Sequence, residues 1–193
     1  LLLNLDQTDA ALQQQNRMNR ELQQGLMGVR MLPFGTISER LQRIVRQTAR
    51  ELNKRVEMVI EGEAIEIDRG VLDKMGAPLE HLLRNAVAHG LETTEERKKL
   101  GKSETGQIKL KISLENDEIT LVITDDGSGV NLAKVKQKAI DKGLFTADQE
   151  LTDQALMAVI FEAGFSTADS VSQIAGRGVG LDAVRSDIAA LGG

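Results

Sequence analysis

Both histidines of the chain lie in one short stretch, with an asparagine midway between them. His81, Asn85 and His89 follow one another at intervals of four residues, which on a helix places them along one face. An asparagine carbonyl is a neutral oxygen ligand suited to Mg²⁺, and an imidazole one turn away can reach a phosphate oxygen or a reacting proton. The alternative interpretation is an ordinary solvated helix face. A separate apolar stripe beside it consists of Leu79, Leu82, Leu83 and Ala86.

A second candidate is the acidic, glycine-containing segment that follows a predicted strand. It contains Asp125, Gly127 and Gly129. Alternating glycines expose a backbone that a flat ligand can approach closely. A calcium loop is disfavoured, because the ligand spacing of an EF-hand and its closing glutamate are missing. An ordinary polar turn is the alternative.

A third candidate is the glycine-rich start of the last predicted helix, which contains Gly176, Gly178 and Gly180. Unhindered backbone N–H groups at a helix N-terminus form an anion site. The segment is not a dinucleotide-binding fingerprint, because Leu181 stands where the last glycine belongs and a loop precedes it.

The segment Gly101-Lys102-Ser103 resembles the end of a phosphate-binding P-loop. Glu96 stands where the first glycine of that motif belongs, and the predicted order is helix, loop, strand rather than strand, loop, helix. We therefore interpret the segment as a connecting loop.

The elements that must position these residues are predicted from hydrophobic periodicity. Residues 108–124 contain two alternating runs separated by a polar turn, which predicts a β-hairpin. Two shorter runs, VEMVIEG and AIEID, predict a further pair of strands. Asp68 is expected to cap a helix that Gly76 and Pro78 interrupt.

Helical spacing recurs elsewhere in the chain. A helix capped by Thr36 or Ser38, a lysine-rich helix over 131–143, another over 151–161 and a last helix from Leu181 are predicted. Residues 1–28 carry a heptad pattern with a polar middle, which favours the end of a dimerising helix over a surface helix packed on its own domain. Residues 29–193 then form one domain.

Composition excludes several classes of protein. Hydrophobic residues make up 41% and charged residues 27%, which is typical of a globular domain. A net charge of -5 and the absence of Trp and Tyr argue against nucleic-acid binding. No apolar run reaches the roughly 18 residues of a membrane span. The chain has no cysteine, which is compatible with the cytoplasmic location we expect.

The three candidate motifs occur in a definite order, HxxxN on a helix, DxGxG after a strand and GxGxG before a helix. This order resembles the ATP-binding fold shared by gyrase, the MutL repair proteins and histidine kinases. The texts HLLRNAVAHGLE, DDGSG, FEAGFST and GRGVGLDAVR are similar to the CheA class of chemotaxis histidine kinases. The resemblance runs from about Arg30 to Gly193. It implies an α/β two-layer sandwich of the Bergerat type, with helices on one face of a mixed β-sheet.

The resemblance also implies roles for the candidate residues. Asn85 would coordinate Mg²⁺, His81 would contact phosphate or assist proton transfer, and His89 would lie near the phosphates of ATP. Asp125 would accept a hydrogen bond from the adenine amino group. The other implied ligand-binding residues are Gly127 and Gly129 at the purine, Lys134 and Lys138 facing phosphate, and Gly176, Gly178 and Gly180 around the triphosphate.

The class further implies partners outside these residues: a phosphotransfer domain that carries the acceptor histidine, a response regulator, a receptor or coupling protein, and a second copy in a homodimer. It also implies that further strands of the domain lie beyond Gly193. Ala88 and Ala163 depart from residues common in the class, at positions that need not touch ATP. A degenerate nucleotide-binding scaffold without kinase activity is the alternative function. A gyrase-like ATPase is disfavoured, because His81 replaces the glutamate base.

Overall fold

The computed structural model describes residues 30–146, 151–162, 165 and 181–193. The predicted dimerising segment, residues 1–28, lies outside the described residues and stays a prediction. In chain order the elements are β1 (Met31–Pro33), α1 (Gly35–Glu51), β2 (Val56–Glu61), β3 (Glu66–Asp68), α2 (Arg69–Asn85), a π-helix (Ala86–Gly90), α3 (Thr94–Lys99), β4 (Gly106–Glu115), β5 (Glu118–Asp125), α4 (Leu132–Asp141), α5 (Asp153–Val159) and α6 (Leu181–Ala189).

The main sheet has three strands in the order β2, β4, β5, with β2 parallel to β4 and β4 antiparallel to β5. The predicted hairpin is confirmed, and its two-residue turn holds Asn116 and Asp117 at φ values of 49° and 66°. Asparagine and aspartate tolerate this left-handed conformation better than most residues, and it matches the twist of the paired strands. The mixed sheet expected from the sequence is therefore present.

The two shorter runs do not pair with each other as predicted. β2 pairs with β4 along its whole length, from Val56 opposite Gly106 to Glu61 opposite Lys111. β3 instead pairs antiparallel with β1 in a separate two-stranded sheet. Alternation identifies a strand but does not identify its partner, because any strand with a matching apolar face can occupy the neighbouring position.

The predicted interruption of the second helix is also wrong. α2 runs without a break through Gly76 and Pro78, after an N-cap at Asp68 that accepts hydrogen bonds from Gly70 N and Val71 N, as expected. A proline inside a helix costs about 3 kcal/mol. Burial of one large apolar side chain contributes about 1.5–3 kcal/mol, so several of them outweigh this cost. The buried apolar side chains of α2 include Leu72, Met75, Leu79 and Leu83.

The predicted cap of the first helix is wrong as well. α1 begins at Gly35, and its N-cap Phe34 makes no side-chain capping bond within the described residues. Thr36 instead donates from its hydroxyl to Pro33 O at 2.6 Å, and Ser38 is buried inside the helix. Complete burial of Phe34 anchors the start of this helix.

One core joins the helices to one face of the main sheet, which makes the two layers of the sandwich. Its fully buried members include Leu41 of α1, Leu83 of α2 and Leu110 of β4. A second, smaller core joins α4 to α5, and its buried residues are Val135, Ala139, Leu156, Val159 and Phe165. None of the helices in the described ranges is both long and apolar enough to cross a membrane.

Candidate nucleotide-binding site

The histidine-asparagine stripe lies where α2 passes into the π-helix. His81 and Asn85 are half-buried on α2, whereas His89 is exposed on the π-helix. The π-turn is wider than an α-helical turn, because Leu91 N donates to Ala86 O, five residues earlier, at 2.9 Å. Single π-turns inside helices occur often at functional sites. The helix is as predicted, and Leu79, Leu83 and Ala86 of the predicted apolar stripe are buried in the core, whereas Leu82 is only half-buried. The π-turn was not predicted.

Lys54, just beyond the C-terminus of α1, holds the end of the π-helix. Its Nζ donates to the carbonyl oxygens of Val87, Ala88 and Leu91 at 2.8, 2.9 and 2.7 Å. These carbonyls end a helix and need donors from elsewhere. Burial lowers the pKa of Lys54, although the carboxylates of Glu96 and Glu92 oppose this effect. Lys54 is not predicted from the sequence, because nothing in its neighbourhood indicates a contact with residues more than 30 positions away.

The loop after β5 packs directly against the last residue of the π-helix. Ser128 N donates to Gly90 O at 2.9 Å, and a β-carbon added to Gly127 would overlap the same oxygen. A β-carbon added to Gly90 would lie 3.0 Å from Asp125 Oδ1. Gly127 is thus required for contact between two backbones, which is a different reason from the ligand approach inferred from the sequence.

The exposed Asp125 carboxylate at the end of β5 uses one oxygen inside the loop, where Oδ1 accepts from Gly127 N at 3.0 Å. Among the described residues no donor contacts Oδ2. Gly129 has φ +69° and open space around its α-carbon. The exposed Asp125 carboxylate therefore keeps one oxygen without a donor in the described part of the chain, and this Oδ2 lies beside the π-helix, 3.1 Å from where a β-carbon of Gly90 would be.

Beneath this loop lies a cluster of charged residues, Glu92, Arg97, Lys102 and Asp126. Arg97 is only 1% exposed and pairs with Asp126 through two nitrogens, at 3.1 and 2.6 Å. It also donates to Glu92 Oε2 at 3.1 Å and to Ser103 O at 2.6 Å. The hydrogen bond from Lys102 lowers the pKa of Glu92. Burial disfavours the charge on Asp126, but bonds from Arg97 and from Gln107 N lower its pKa overall.

The pKa of each of the two histidines is lowered. Partial desolvation is the main cause for His81, followed by the charge of Arg84, while Asp182 at the start of α6 opposes both. For His89 the causes are partial desolvation and then the charges of Lys54 and Lys134. Both side chains are therefore neutral at pH 7, able to accept a proton or to donate one hydrogen bond each.

The structure brings together most of the predicted site. The contact between Gly90 and the Asp125 loop joins the first two motifs, and Lys134 on α4 lies close enough to His89 to affect its titration. Lys138 follows one turn later on the same helix. Gly176, Gly178 and Gly180 lie outside the described residues, although the helix that follows them packs on α2 through the side of His81.

The described residues hold no group of three or more His, Asp or Glu side chains suited to a metal ion. Asn85 offers one neutral oxygen on the face of the helix that carries both histidines. This donor set fits Mg²⁺, which keeps several waters and is bound in such sites by few protein oxygens together with substrate phosphates.

Residues 73–193 match the family model described as histidine kinase-, DNA gyrase B- and HSP90-like ATPase. The mixed sheet covered by helices on one face agrees with this match, and the chain belongs to that family.

The chain is also similar to proteins named chemotaxis protein CheA and sensor histidine kinase CheAY. The chain is 45% identical over 182 residues to the chemotaxis protein CheA of Rhizobium meliloti and 41% identical over 179 residues to that of Bacillus subtilis. It is 43% identical over 175 residues to the sensor histidine kinase CheAY of Helicobacter pylori. These alignments cover 94%, 92% and 90% of this chain but only 24%, 27% and 22% of the relatives. The resemblance to the CheA class is confirmed, and the chain is a CheA-like ATPase domain of the histidine kinase type.

Proposed function

We propose that this domain binds ATP with Mg²⁺ and transfers the γ-phosphoryl group to a histidine on a separate phosphotransfer domain, in two-component signalling for chemotaxis or pilus motility. The observation that carries the proposal is the docking of the Asp125 loop on Gly90. It sets the exposed Asp125 carboxylate next to the π-helix that bears His89 and that continues the helix of His81 and Asn85.

Adenine recognition is assigned to the Asp125 oxygen that has no donor among the described residues. The amino group of adenine donates to a carboxylate, whereas guanine presents a carbonyl at the same position. Two acceptors facing each other would leave buried polar groups unpaired, which costs about 1–3 kcal/mol. The domain should therefore prefer ATP to GTP, with the purine lying over Gly127 and Gly129.

The triphosphate then extends toward the histidine-asparagine stripe. Asn85 supplies an oxygen to Mg²⁺, which when bound neutralises charge on the phosphates. Neutral His81 and His89 donate to phosphate oxygens, and His81 is placed to move a proton. Lys134, Lys138 and the N–H groups of Gly176, Gly178 and Gly180 add positive potential. Phosphoryl transfer needs mainly such positioning and charge stabilisation.

The acceptor is expected on another domain. The chain contains two histidines, and both are assigned to the nucleotide face. A phosphotransfer domain, a response regulator and a receptor or coupling protein are the partners proposed here, with residues 1–28 joining two copies. In these proteins the phosphoryl group would pass onward from the phosphohistidine.

The test combines binding and transfer. Titration calorimetry with ATP and Mg²⁺ should give binding that Asp125→Ala weakens strongly and that Asn85→Ala weakens only when Mg²⁺ is present. Labelled ATP should phosphorylate an added acceptor domain and leave the chain itself unlabelled. Binding that is insensitive to both substitutions would refute the site. Intact binding without transfer would favour the scaffold alternative.

A further inference from the structure

Two basic side chains from the segment after the π-helix, Lys102 and Arg97, bind the loop that carries Asp125. Lys102 Nζ donates to the carbonyl oxygens of Asp126 and Gly127, both at 2.9 Å, and to Glu92 Oε1 at 2.6 Å. Arg97 binds the Asp126 carboxylate, which also accepts from Gln107 N at 2.8 Å. The adjacent acids thus have different roles, because Asp126 pairs with the buried Arg97 whereas Asp125 makes one bond inside its own loop.

These bonds act on the peptide groups that orient Asp125. Lys102 binds the carbonyl oxygen of the peptide unit between Asp126 and Gly127, and it also binds the carbonyl oxygen of Gly127. The N–H of that same peptide unit, Gly127 N, donates to Asp125 Oδ1. A rotation of this peptide unit would move the N–H away from Oδ1 and turn the carboxylate. The ammonium therefore controls the direction of Oδ2 through two bonded steps.

Glu92 keeps Lys102 in place rather than contacting the loop itself. Its side chain is 9% exposed and receives one bond from Lys102 and one from Arg97. Lys102 is more open, with 34% of its side chain exposed. Loss of its ammonium should leave the fold intact, because Arg97 and the core of α2 and β4 remain.

We propose that Lys102, supported by Glu92 and Arg97, is a positioning residue for nucleobase selection: it aims the Asp125 carboxylate at the purine without touching the ligand. The inference rests on the proposed function, because it assumes that Asp125 accepts from adenine.

The experiment compares wild type, Lys102→Met, Lys102→Arg and Asp125→Ala, with Lys99→Met as the matched control. Lys99 is an exposed lysine on α3. Affinities for ATP and for GTP with Mg²⁺ are measured by calorimetry, and thermal unfolding is measured without nucleotide. Lys102→Met should weaken ATP binding about tenfold and GTP binding much less, so that the ATP-to-GTP affinity ratio falls about tenfold. Lys102→Arg should recover part of this ratio, and Lys99→Met should leave it unchanged.

The outcomes separate the two claims. If wild type binds neither nucleotide, or if Asp125→Ala keeps full selectivity, the proposed function fails. If Asp125→Ala loses selectivity while Lys102→Met keeps it, the function stands and the positioning role is refuted. An equal loss of ATP and GTP affinity in Lys102→Met, together with a lower unfolding temperature, would show a purely structural role and would also overturn the inference.

Discussion

Gly90 and Gly127 are in backbone contact: the carbonyl oxygen of Gly90 occupies the space that a β-carbon of Gly127 would need. The hydrogen bond from Ser128 N to the same oxygen, 2.9 Å long, strengthens the contact. The helix that bears His81 and Asn85 and the loop that bears Asp125 are therefore joined without an intervening side chain.

Substitution of Gly127 should be far more damaging than substitution of Gly129. In Gly127→Ala the new methyl group overlaps the Gly90 carbonyl, so the loop must move away from the π-helix. In Gly129→Ala the methyl group has open space, and only the φ of +69° is unfavourable, at about 1–2 kcal/mol. Urea unfolding should show the larger loss for Gly127→Ala, and ATP binding should weaken in both variants but disappear only in Gly127→Ala. Equal effects of the two substitutions would contradict the contact.

Removal of the Lys54 ammonium should destabilise the π-helix. Lys54→Met leaves three carbonyl oxygens without their donor, and we expect a loss of about 1–3 kcal/mol in the free energy of unfolding. Lys74→Met, at an exposed position on α2, should change stability by less than about 0.5 kcal/mol. Hydrogen exchange of residues 86–91 should also be faster in Lys54→Met. Unchanged exchange in this segment would show that the turn does not depend on the lysine.

The two histidines should titrate below their usual range. Because the chain has two histidines, NMR should show two imidazole signals, each with a pKa below 6.5. Asp182→Asn should lower the pKa of His81 further, because Asp182 now opposes the shift. Lys134→Met should raise the pKa of His89 and leave His81 unchanged. A pKa of 6.5 or above for either imidazole in wild type would contradict the partial desolvation.

Acid should weaken the charged cluster below the loop. Glu92 and Asp126 have a lowered pKa in the folded state, so the unfolded chain takes up protons first. Their stabilisation is complete above the unfolded values of about 4 and is lost as pH falls through the lower folded values. Urea unfolding between pH 7 and pH 3 should show this loss.

The matched variants for this measurement are Asp126→Asn and Asp73→Asn. Asp126→Asn removes the bidentate partner of the buried Arg97, which keeps its bonds to Glu92 and Ser103 O, so it should cost about 1–3 kcal/mol at pH 7 and reduce the acid dependence. Asp73 pairs with Arg69 at 3.8 Å on an exposed helix face, so Asp73→Asn should cost at most about 1 kcal/mol. A similar cost for both variants would contradict the importance of burial.

Local signals in the sequence were enough for most elements of the fold. Alternation and a polar turn predicted the β4–β5 hairpin, and Asp68 predicted the start of α2. The continuity of α2 through Pro78 was not predictable, because it depends on how many of its apolar side chains are buried against the other elements. The partner of β3 was not predictable for the same reason: pairing is decided by tertiary position rather than by the strand itself.

The residues of the candidate site also divide into those that the sequence predicts and those that only the structure identifies. Asn85, Asp125 and both histidines were identified by residue type and spacing, whereas Lys54, Arg97 and Lys102 were missed. Charged residues in a polar segment usually face solvent, and only the folded structure shows that Arg97 is buried. Asp126, the second acid in this segment, was a weak signal for a buried arginine, because such an arginine needs a carboxylate partner.

The π-turn makes the number of residues in this segment as important as their types. Each residue of an α-helix advances the chain by about 100° around the axis. Deleting one residue from the π-helix would restore an α-helical turn and would rotate everything after it by roughly that angle. Gly90 would then point away from Gly127, whichever side chains were kept. We therefore expect the fold of this segment to tolerate substitution of its exposed residue, His89, far better than any change in length.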